Sequence, residues 1–208
     1  MISLFLNTFS KYFNVALVKD NVVIDSIYEN YGMDLSKECL YQISLLLEKN
    51  SIKPEDISEI VCVRGPGSFT GLRIGVTIAK TMAYFKNIKL YSTSSLDVMA
   101  TSVEGDVIVP IIDARRGYVY GAIYDKDYNI IMKESYIKCE DIIKEAKKYG
   151  ENPVFVSSDD FDFEVISYKP NLNNFYKQNL RVEENSITFV PNYLKRTEAE
   201  EKLDDSRH

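Results

Sequence analysis

Apolar and polar residues alternate with different periods along the chain, and over residues 2–50 the pattern predicts three strands followed by a helix. Three short β-rich runs, at residues 2–7, 13–18 and 21–28, are separated by "TFSKY" and "KD", which predicts an antiparallel meander. The segment "MDLSKECLYQISLLLEKN" then carries apolar residues at intervals of three and four. This spacing predicts an amphipathic helix that ends near Asn50.

The pattern continues with alternating strands and helices up to about residue 100. A strand at 60–63 leads into a glycine-rich loop, a helix over 69–85 and the strand "IKLYSTS". Ser94 and Asp97 have the spacing of a capping box, which predicts a short helix ending at Ala100. The first half therefore has the predicted order βββαβαβα.

The second half has its own strand and helix signals. "VIVPIIDA" is typical of a buried strand, and "RRG" followed by "YVYGAIYD" indicates a hairpin. "DYNIIMKESYIK" and "PVFVSS" predict two more strands, and "EDIIKEAKKYG" predicts a helix with a glycine stop. The pattern is weak over 161–184, and the charged tail "TEAEEKLDDSRH" is expected to fray. We place the boundary between two subdomains, 1–104 and 105–208, in the segment 101–106.

Length and charge restrict the class of protein. A chain of 208 residues with 45% hydrophobic content allows one or two domains. A net charge of −6 argues against strong autonomous binding of nucleic acid, because that affinity comes from cations that neutralise phosphates. Cys39, Cys62 and Cys139 are widely spaced, which favours a reducing compartment. The N-terminus has no basic n-region and no apolar run reaches about 18 residues, so we expect a cytoplasmic protein without a membrane span.

The histidine count removes several mechanisms. The only histidine is His208, at the C-terminal end. A catalytic triad or a metal site built on histidine is therefore not expected, and we predict no catalytic residue and no bound metal.

The stretch "VRGPGSFTGLRIG", residues 63–75, joins a strand to a helix and allows two interpretations. A helix N-terminus favours an anion, which makes the loop a candidate phosphate site. However, the spacing G-x-G-x-x-x-G matches neither the dinucleotide fingerprint nor the Walker A pattern. We favour a structural turn with Ser68 as helix cap and no cofactor. The candidates for phosphate contact are Gly65, Gly67, Ser68, Thr70 and Gly71.

The helix after this loop carries a row of small residues. Gly71, Gly75, Ala79 and Ala83 recur every four positions and form a ridge that allows another backbone to approach closely. The other faces are mostly apolar, which predicts burial on nearly every side. The ridge is covered either by the chain's own first helix and second subdomain or by a partner subunit.

Several stretches resemble the TsaB family, also called YeaZ. "GPGSFTGLRIG", followed by "AK" and "STSSLDVMA", is similar to the signature of that family. In chain order, "LNTFSKYFNVAL" resembles its first hairpin, "IIDARRGYVYGAIYD" its second-subdomain strand pair and "VPNYLKR" its C-terminal motif. The similarity covers most of the chain and is weakest over 161–184.

The resemblance implies an α/β fold of the actin-like, ribonuclease-H-like (ASKHA) type in two subdomains. It also implies a non-catalytic scaffold in the formation of N6-threonylcarbamoyladenosine (t6A) at position 37 of tRNA. The implied partner is the transferase TsaD, in a heterodimer, with TsaE in a larger complex, tRNA reached through that complex, and a homodimer through the same helices as an alternative. The residues it predicts at the partner interface are Leu35, Cys39, Ile43, Leu46, Leu72, Gly75, Val76, Ala79, Met82 and Ala83.

The chain also departs from the family pattern. Asn7 stands where the family usually has an aspartate, and "GMDLSKECL" replaces a His-Ser-Glu pattern at the first helix. Asp113, Arg115 and Arg116 form either a solvated hairpin turn or a contact with substrate or tRNA. Two other functions stay open: an actin-like ATPase or small-molecule kinase that uses the glycine loop and Asp113, and a glycoprotease-like metallopeptidase.

Overall fold

The computed structural model describes residues 1–195, so His208 and the charged tail predicted to fray lie outside the described residues. The predicted order βββαβαβα of the first half is confirmed. Its elements are β1 (Ile2–Asn7), β2 (Tyr12–Lys19), β3 (Val22–Asn30), α1 (Leu35–Lys49), β4 (Glu59–Val63), α2 (Phe69–Lys86), β5 (Lys89–Thr93) and α3 (Ser95–Ala100). Single-turn 3₁₀ helices, Gly32–Asp34 and Pro54–Asp56, precede α1 and β4.

The strands and the helix predicted in the second half are also present. The elements are β6 (Val107–Asp113), β7 (Tyr118–Asp125), β8 (Ile130–Lys138), α4 (Cys139–Ala146), β9 (Val154–Ser157), β10 (Ile166–Ser167), α5 (Leu172–Phe175) and β11 (Val182–Glu184). The last three lie within 161–184, where the sequence pattern is weak. They are two to four residues long, too short to show a period.

The first sheet is mixed, with the strand order β11-β5-β4-β1-β2-β3. The meander β1-β2-β3 is antiparallel, β4 pairs parallel with β1, and β5 pairs parallel with β4. One face carries Leu4, Leu6 and other apolar residues that pack with the inner sides of α1 and α2. Both helices therefore lie side by side on this face.

The opposite face of the first sheet meets the second half of the chain. The second sheet has the order β10-β9-β6-β7-β8. Side chains from both sheets, including Phe5, Val61 and Ala122, share one core with α3 and α5. The far side of the second sheet packs on α4. The layers are thus α1 and α2, first sheet, shared core, second sheet, and α4.

The chain returns to the first sheet at its C-terminal end. β11 pairs antiparallel with β5, and Phe189 is buried against the core under α1 and α2. Ion pairs support this return, with 3.2 Å between Arg181 and Glu59 and 3.0 Å between Arg64 and Glu184. The predicted boundary near residue 104 stays a prediction, and the residues after it contribute to both sheets.

No helix within residues 1–195 combines the length and the apolar character needed to cross a bilayer.

Candidate partner interface

The glycine loop sets the position of α2. Ser68 caps the helix as predicted, with its hydroxyl accepting from the backbone N–H of Gly71 at 3.3 Å. The backbone N–H of Ser68 donates to Phe9 O at 2.7 Å, and that of Ser95 donates to Gly65 O at 3.0 Å. The loop therefore ties the β1–β2 turn, α2 and the start of α3 together.

The C-terminal motif "VPNYLKR" packs on the same loop, apart from Arg196, which lies outside the described residues. The backbone N–H of Asn192 donates to Arg64 O at 2.7 Å. A side chain at Gly65, which has a φ of +121°, would meet the carbonyl oxygen of Asn192 at 2.7 Å. Glycine is thus required at this position both by the backbone conformation and by the close approach of the C-terminal segment.

The row of small residues on α2 faces the chain's own first hairpin. A Cβ atom at Gly71 would overlap the carbonyl oxygen of Thr8, and one at Gly75 would overlap the Thr8 hydroxyl. Ala79 and Ala83 are buried in the core beneath α1 and α2. Of the two interpretations of the ridge, this contact favours packing within the chain.

The residues predicted for the partner interface are mostly buried within the chain itself. Met82 is half-buried, and the other nine are buried: Leu35, Cys39, Ile43, Leu46, Leu72, Gly75, Val76, Ala79 and Ala83. A side chain with almost no exposed area offers nothing for a partner to contact directly. The predicted interface stays a prediction. The nine side chains pack inside the chain, and their outward-facing neighbours on the two helices are the exposed ones.

Several of those neighbours are apolar, and we call them together the helical patch. Met33, just before α1, is 99% exposed, and Phe85 near the end of α2 is 78% exposed. Ile74, Ile78 and Met82 recur with helical spacing along one side of α2, and all three are half-buried. The members of the helical patch are Met33, Leu40, Tyr41, Leu45, Ile74, Ile78, Met82 and Phe85. Leu40 is one of the apolar residues whose spacing predicts this helix, yet it is 61% exposed in the structure.

A groove of about 370 Å³ opens at the N-terminal ends of the two helices. It lies at one end of the helical patch, beneath Met33 and Ile74. Its lining is Ser10, Lys11, Gly32, Met33, Leu35, Ser36, Ser68, Thr70, Gly71 and Ile74.

The phosphate-contact candidates lie together in the loop, but the chain fills much of the space around them. Gly65 is packed on Asn192, and a Cβ atom at Gly67 would meet Phe9 Cβ at 2.8 Å. The backbone N–H groups of Ser68 and Gly71 are engaged by Phe9 O and the Ser68 hydroxyl. Ser68 and Thr70 are exposed at the rim. These contacts favour the structural interpretation of the loop.

Asp113, the other residue of the kinase alternative, lies exposed at the end of β6. Its carboxylate accepts from the backbone N–H of Arg115 at 2.9 Å, and its own N–H donates to the Asp159 carboxylate at 2.9 Å. Burial raises the pKa of Asp159. Within residues 1–195 no hydrogen bond joins Asp113 to the glycine loop.

The departure at Asn7 has a local role. Its side-chain oxygen accepts from the backbone N–H of Phe9 at 3.2 Å and so holds the β1–β2 turn. Asn7 is 2% exposed, which places a neutral amide where a carboxylate would carry a charge. Burying this neutral amide costs less free energy than burying an unpaired carboxylate at the same position.

The two thiols of the first half lie in the core. Burial raises the pKa of Cys39 to about 12 and also raises that of Cys62, so both remain thiols at neutral pH. Residues 1–195 contain no group of three or more His, Cys, Asp or Glu side chains arranged to hold a metal ion.

The fold and the sequence both match known proteins. YeaZ from Pseudomonas aeruginosa has a TM-score of 0.73 at 19% identity, and the match covers 93% of this chain and 99% of that one. The tRNA threonylcarbamoyladenosine biosynthesis protein TsaB of Bacillus subtilis (strain 168) is 29% identical over 230 residues, covering 100% of both chains. TsaB of Escherichia coli (strain K12) is 32% identical over 128 residues, which are 60% of this chain and 55% of that protein.

Residues 34–164 match the family model described as "TsaD: tRNA N6-adenosine threonylcarbamoyltransferase". The chain belongs to this family. Its resemblance to TsaB, or YeaZ, is confirmed by the relatives of that name. The predicted actin-like α/β fold with two subdomains is confirmed as well.

Proposed function

We propose that this chain is a non-catalytic subunit in the formation of t6A in tRNA, and that it binds and stabilises a TsaD-type transferase in the cytoplasm. The membership of the TsaD family and the full-length similarity to a protein named for threonylcarbamoyladenosine biosynthesis carry the assignment to this pathway. TsaE joins the complex, and tRNA is bound by the assembly as a whole.

The non-catalytic role is supported by the residues available. The single histidine is His208, and the two cysteines of the first half are buried with raised pKa values. Asp97 is a buried carboxyl whose pKa is raised by burial, yet its Oδ1 accepts from Tyr124 OH at 2.7 Å and its Oδ2 from Ser94 N–H at 3.2 Å. The bond from Tyr124 joins α3 to the second sheet, and the bond from Ser94 caps α3; both stabilise the fold.

The helical patch is the surface that we propose for TsaD. Large exposed apolar side chains on two adjacent helices are typical of a protein interface, and Met, Tyr and Phe are enriched in such interfaces. The partner is argued from the family: TsaD-type proteins share the fold of this chain, so a partner can present the corresponding pair of helices to these two.

Mixing experiments with TsaD from the same organism test the proposal. We expect a 1:1 complex in size-exclusion chromatography, transferase activity only in the mixture, and none in the purified chain. The substitution Leu40→Glu places a charge on an exposed position of the patch without entering the core. We expect at least tenfold weaker binding in calorimetry, since an unpaired charge buried in an interface costs more than about 1.4 kcal/mol.

Ile130→Glu is the matched control, because Ile130 is similarly exposed but lies on β8 of the second sheet. It should bind TsaD like the unchanged chain. Equal affinity for Leu40→Glu and the unchanged chain would show that TsaD docks elsewhere, and absence of any complex would contradict the proposed role.

A further inference from the structure

The hairpin between β6 and β7 holds two arginines in an unfavourable conformation. Arg115 and Arg116 have φ values of +66° and +56°, and Gly117 follows with +77°. The backbone N–H of Tyr118 donates to Arg115 O at 3.1 Å, which closes a β-turn centred on Arg116 and Gly117. Positive φ at both central residues is the geometry of a type I′ turn, where Asn-Gly is preferred. Arginine is disfavoured in the left-handed region, so the turn itself does not explain these two side chains.

Both arginines are exposed at the tip of the hairpin. Neither forms an ion pair with a carboxylate of residues 1–195, and the Asp113 carboxylate bonds to the backbone of Arg115. Lys138 is exposed on the neighbouring strand and lies opposite Tyr118 in the register of β7 and β8. Three cations thus lie at one end of this strand pair, where Arg116 and Lys138 line a pocket together with Glu140 and Asp162.

Three tyrosines lie beside these cations on the same strand pair. The rings of Tyr118 and Tyr136 are stacked, with centroids 4.7 Å apart and an interplanar angle of 11°. Tyr120 packs on Tyr136 at 5.7 Å, and Lys195 Nζ lies 5.2 Å from the Tyr136 ring centroid. All three tyrosines are half-buried, and Tyr118, Tyr120 and Lys195 together cover part of the Tyr136 ring.

Cations beside flat aromatic rings fit one class of partner better than others. Phosphates attract Arg and Lys, and unpaired bases stack on aromatic side chains. An acidic protein segment would use the cations but would have no use for the stacked rings. The exposed arginines at the tip, with the tyrosines along the strands, therefore match a nucleic acid strand with unpaired bases.

We propose that Arg115, Arg116, Tyr118, Tyr136 and Lys138 form a surface that contacts unpaired nucleotides of the tRNA when it is bound to the complex. This inference rests on the proposed function, in which this chain and TsaD act on tRNA together. For Arg115 and Arg116 it selects the contact with tRNA over the solvated hairpin turn, the two alternatives that the sequence leaves open.

The test uses the complex of this chain with TsaD and an unmodified tRNA transcript, with binding followed by fluorescence anisotropy at several salt concentrations. The variant Arg115→Asn/Arg116→Asn removes both cations and places residues that tolerate the left-handed conformation. We expect the affinity for the transcript to fall by about tenfold or more and the salt slope to decrease by about two, because each arginine neutralises one phosphate. Its melting temperature should be unchanged or higher, which excludes unfolding as the cause.

Two controls separate this surface from general charge and from the fold. Lys147→Asn/Lys148→Asn removes two adjacent exposed cations just beyond α4 and should leave tRNA affinity unchanged. Tyr136→Phe keeps the stacked ring and should bind normally, whereas Tyr136→Ala should weaken binding of the transcript and of single-stranded RNA more than that of a duplex of equal length.

The outcomes distinguish this inference from the proposed function. A normal complex with TsaD, together with equal tRNA affinity of Arg115→Asn/Arg116→Asn and the unchanged chain, overturns the RNA surface and leaves the proposed function standing. Loss of TsaD binding in this variant shows a protein interface and also overturns it. If the unchanged chain forms no complex with TsaD, the docking proposal is wrong. The tRNA affinities of the unchanged chain and of Arg115→Asn/Arg116→Asn, each measured without TsaD, then test the RNA surface.

Discussion

Thr8 lies against two glycines of α2, and this contact sets the distance between the β1–β2 turn and the helix. A Cβ atom at Gly75 would overlap the Thr8 side chain, whereas one at Gly71 would overlap the Thr8 backbone carbonyl. The Thr8 hydroxyl is buried and makes no hydrogen bond within residues 1–195. Shortening this side chain to alanine therefore breaks no hydrogen bond, whereas the carbonyl belongs to the backbone and stays in any variant.

This difference gives a prediction for single residues. Gly75→Ala should lower the free energy of unfolding by about 1–3 kcal/mol, because the added methyl group overpacks the contact with Thr8. Combining it with Thr8→Ala should restore most of that loss, since the double variant removes the overlapping atoms. Urea unfolding of the two single variants and the double variant measures this coupling as a double-mutant cycle.

Gly71→Ala is the internal control for the same cycle. Thr8→Ala should not rescue it, because the obstructing atom is a backbone oxygen. If Gly75→Ala is as stable as the unchanged chain, or if Thr8→Ala rescues both glycine variants equally, the packing role of the ridge is wrong.

Residue patterns predicted some of these features and not others. The caps at Ser68 and Ser94 were predictable because a cap depends on residues within one helical turn. The four-residue spacing of Gly71, Gly75, Ala79 and Ala83 correctly predicted a close approach. The residue that makes this close approach, Thr8, was not predictable, because the tertiary fold and not the local spacing brings it to the helix.

At the scale of elements, α1 and α2 form a layer whose inner side is buried against the first sheet and whose outer side is exposed. The sequence of α2 is apolar on nearly every face, so periodicity could not tell its inner face from its outer one. In the structure its small residues are buried, Ile78 and Met82 are half-buried at the edge of the core, and Phe85 is exposed. That these helices meet a partner stays a prediction, and the helical patch is the part of them that is accessible to one.

An uncovered helical patch predicts self-association of the isolated chain. Two copies that pair through α1 and α2 would cover Leu40, Tyr41 and Phe85 on each side, and a twofold axis makes one surface complementary to itself. We expect the sedimentation coefficient of the unchanged chain to rise with concentration, and Leu40→Glu to stay monomeric over the same range. Association through this patch is contradicted if the unchanged chain stays monomeric at all concentrations. It is also contradicted if Ile130→Glu, rather than Leu40→Glu, abolishes the dimer.

At the scale of the whole molecule, the two halves share side chains and not only a boundary. The Phe5 ring packs edge-on against Phe175 at 5.7 Å, and Tyr176 lies beside both. The Ser3 and Tyr176 hydroxyls are hydrogen-bonded at 3.0 Å. The sequence predicted the strands and helices on each side of residue 104. It did not predict this return, because β11 and α5 are short and are stabilised by contacts with distant residues.

Because the C-terminal part of the chain packs back on the first sheet, a fragment without it is not expected to fold. A chain cut to residues 1–104 lacks β11, Phe175, Tyr176 and Phe189, which fill the cores on both faces of its sheet. Loss of one buried phenylalanine typically costs about 3–5 kcal/mol, and a whole domain is stable by only about 5–15 kcal/mol. We therefore expect the fragment to be unfolded, with a collapsed amide spectrum and no cooperative urea transition by circular dichroism.

The same measurements on the intact chain supply the comparison. Because one core joins both sheets, the full chain should unfold in a single transition, with tyrosine fluorescence and circular dichroism coinciding. Adding residues 105–208 to the fragment should restore structure if the missing side chains are the cause. A folded 1–104 fragment, or two separate transitions in the full chain, would instead support a self-sufficient N-terminal subdomain whose C-terminal strand is dispensable.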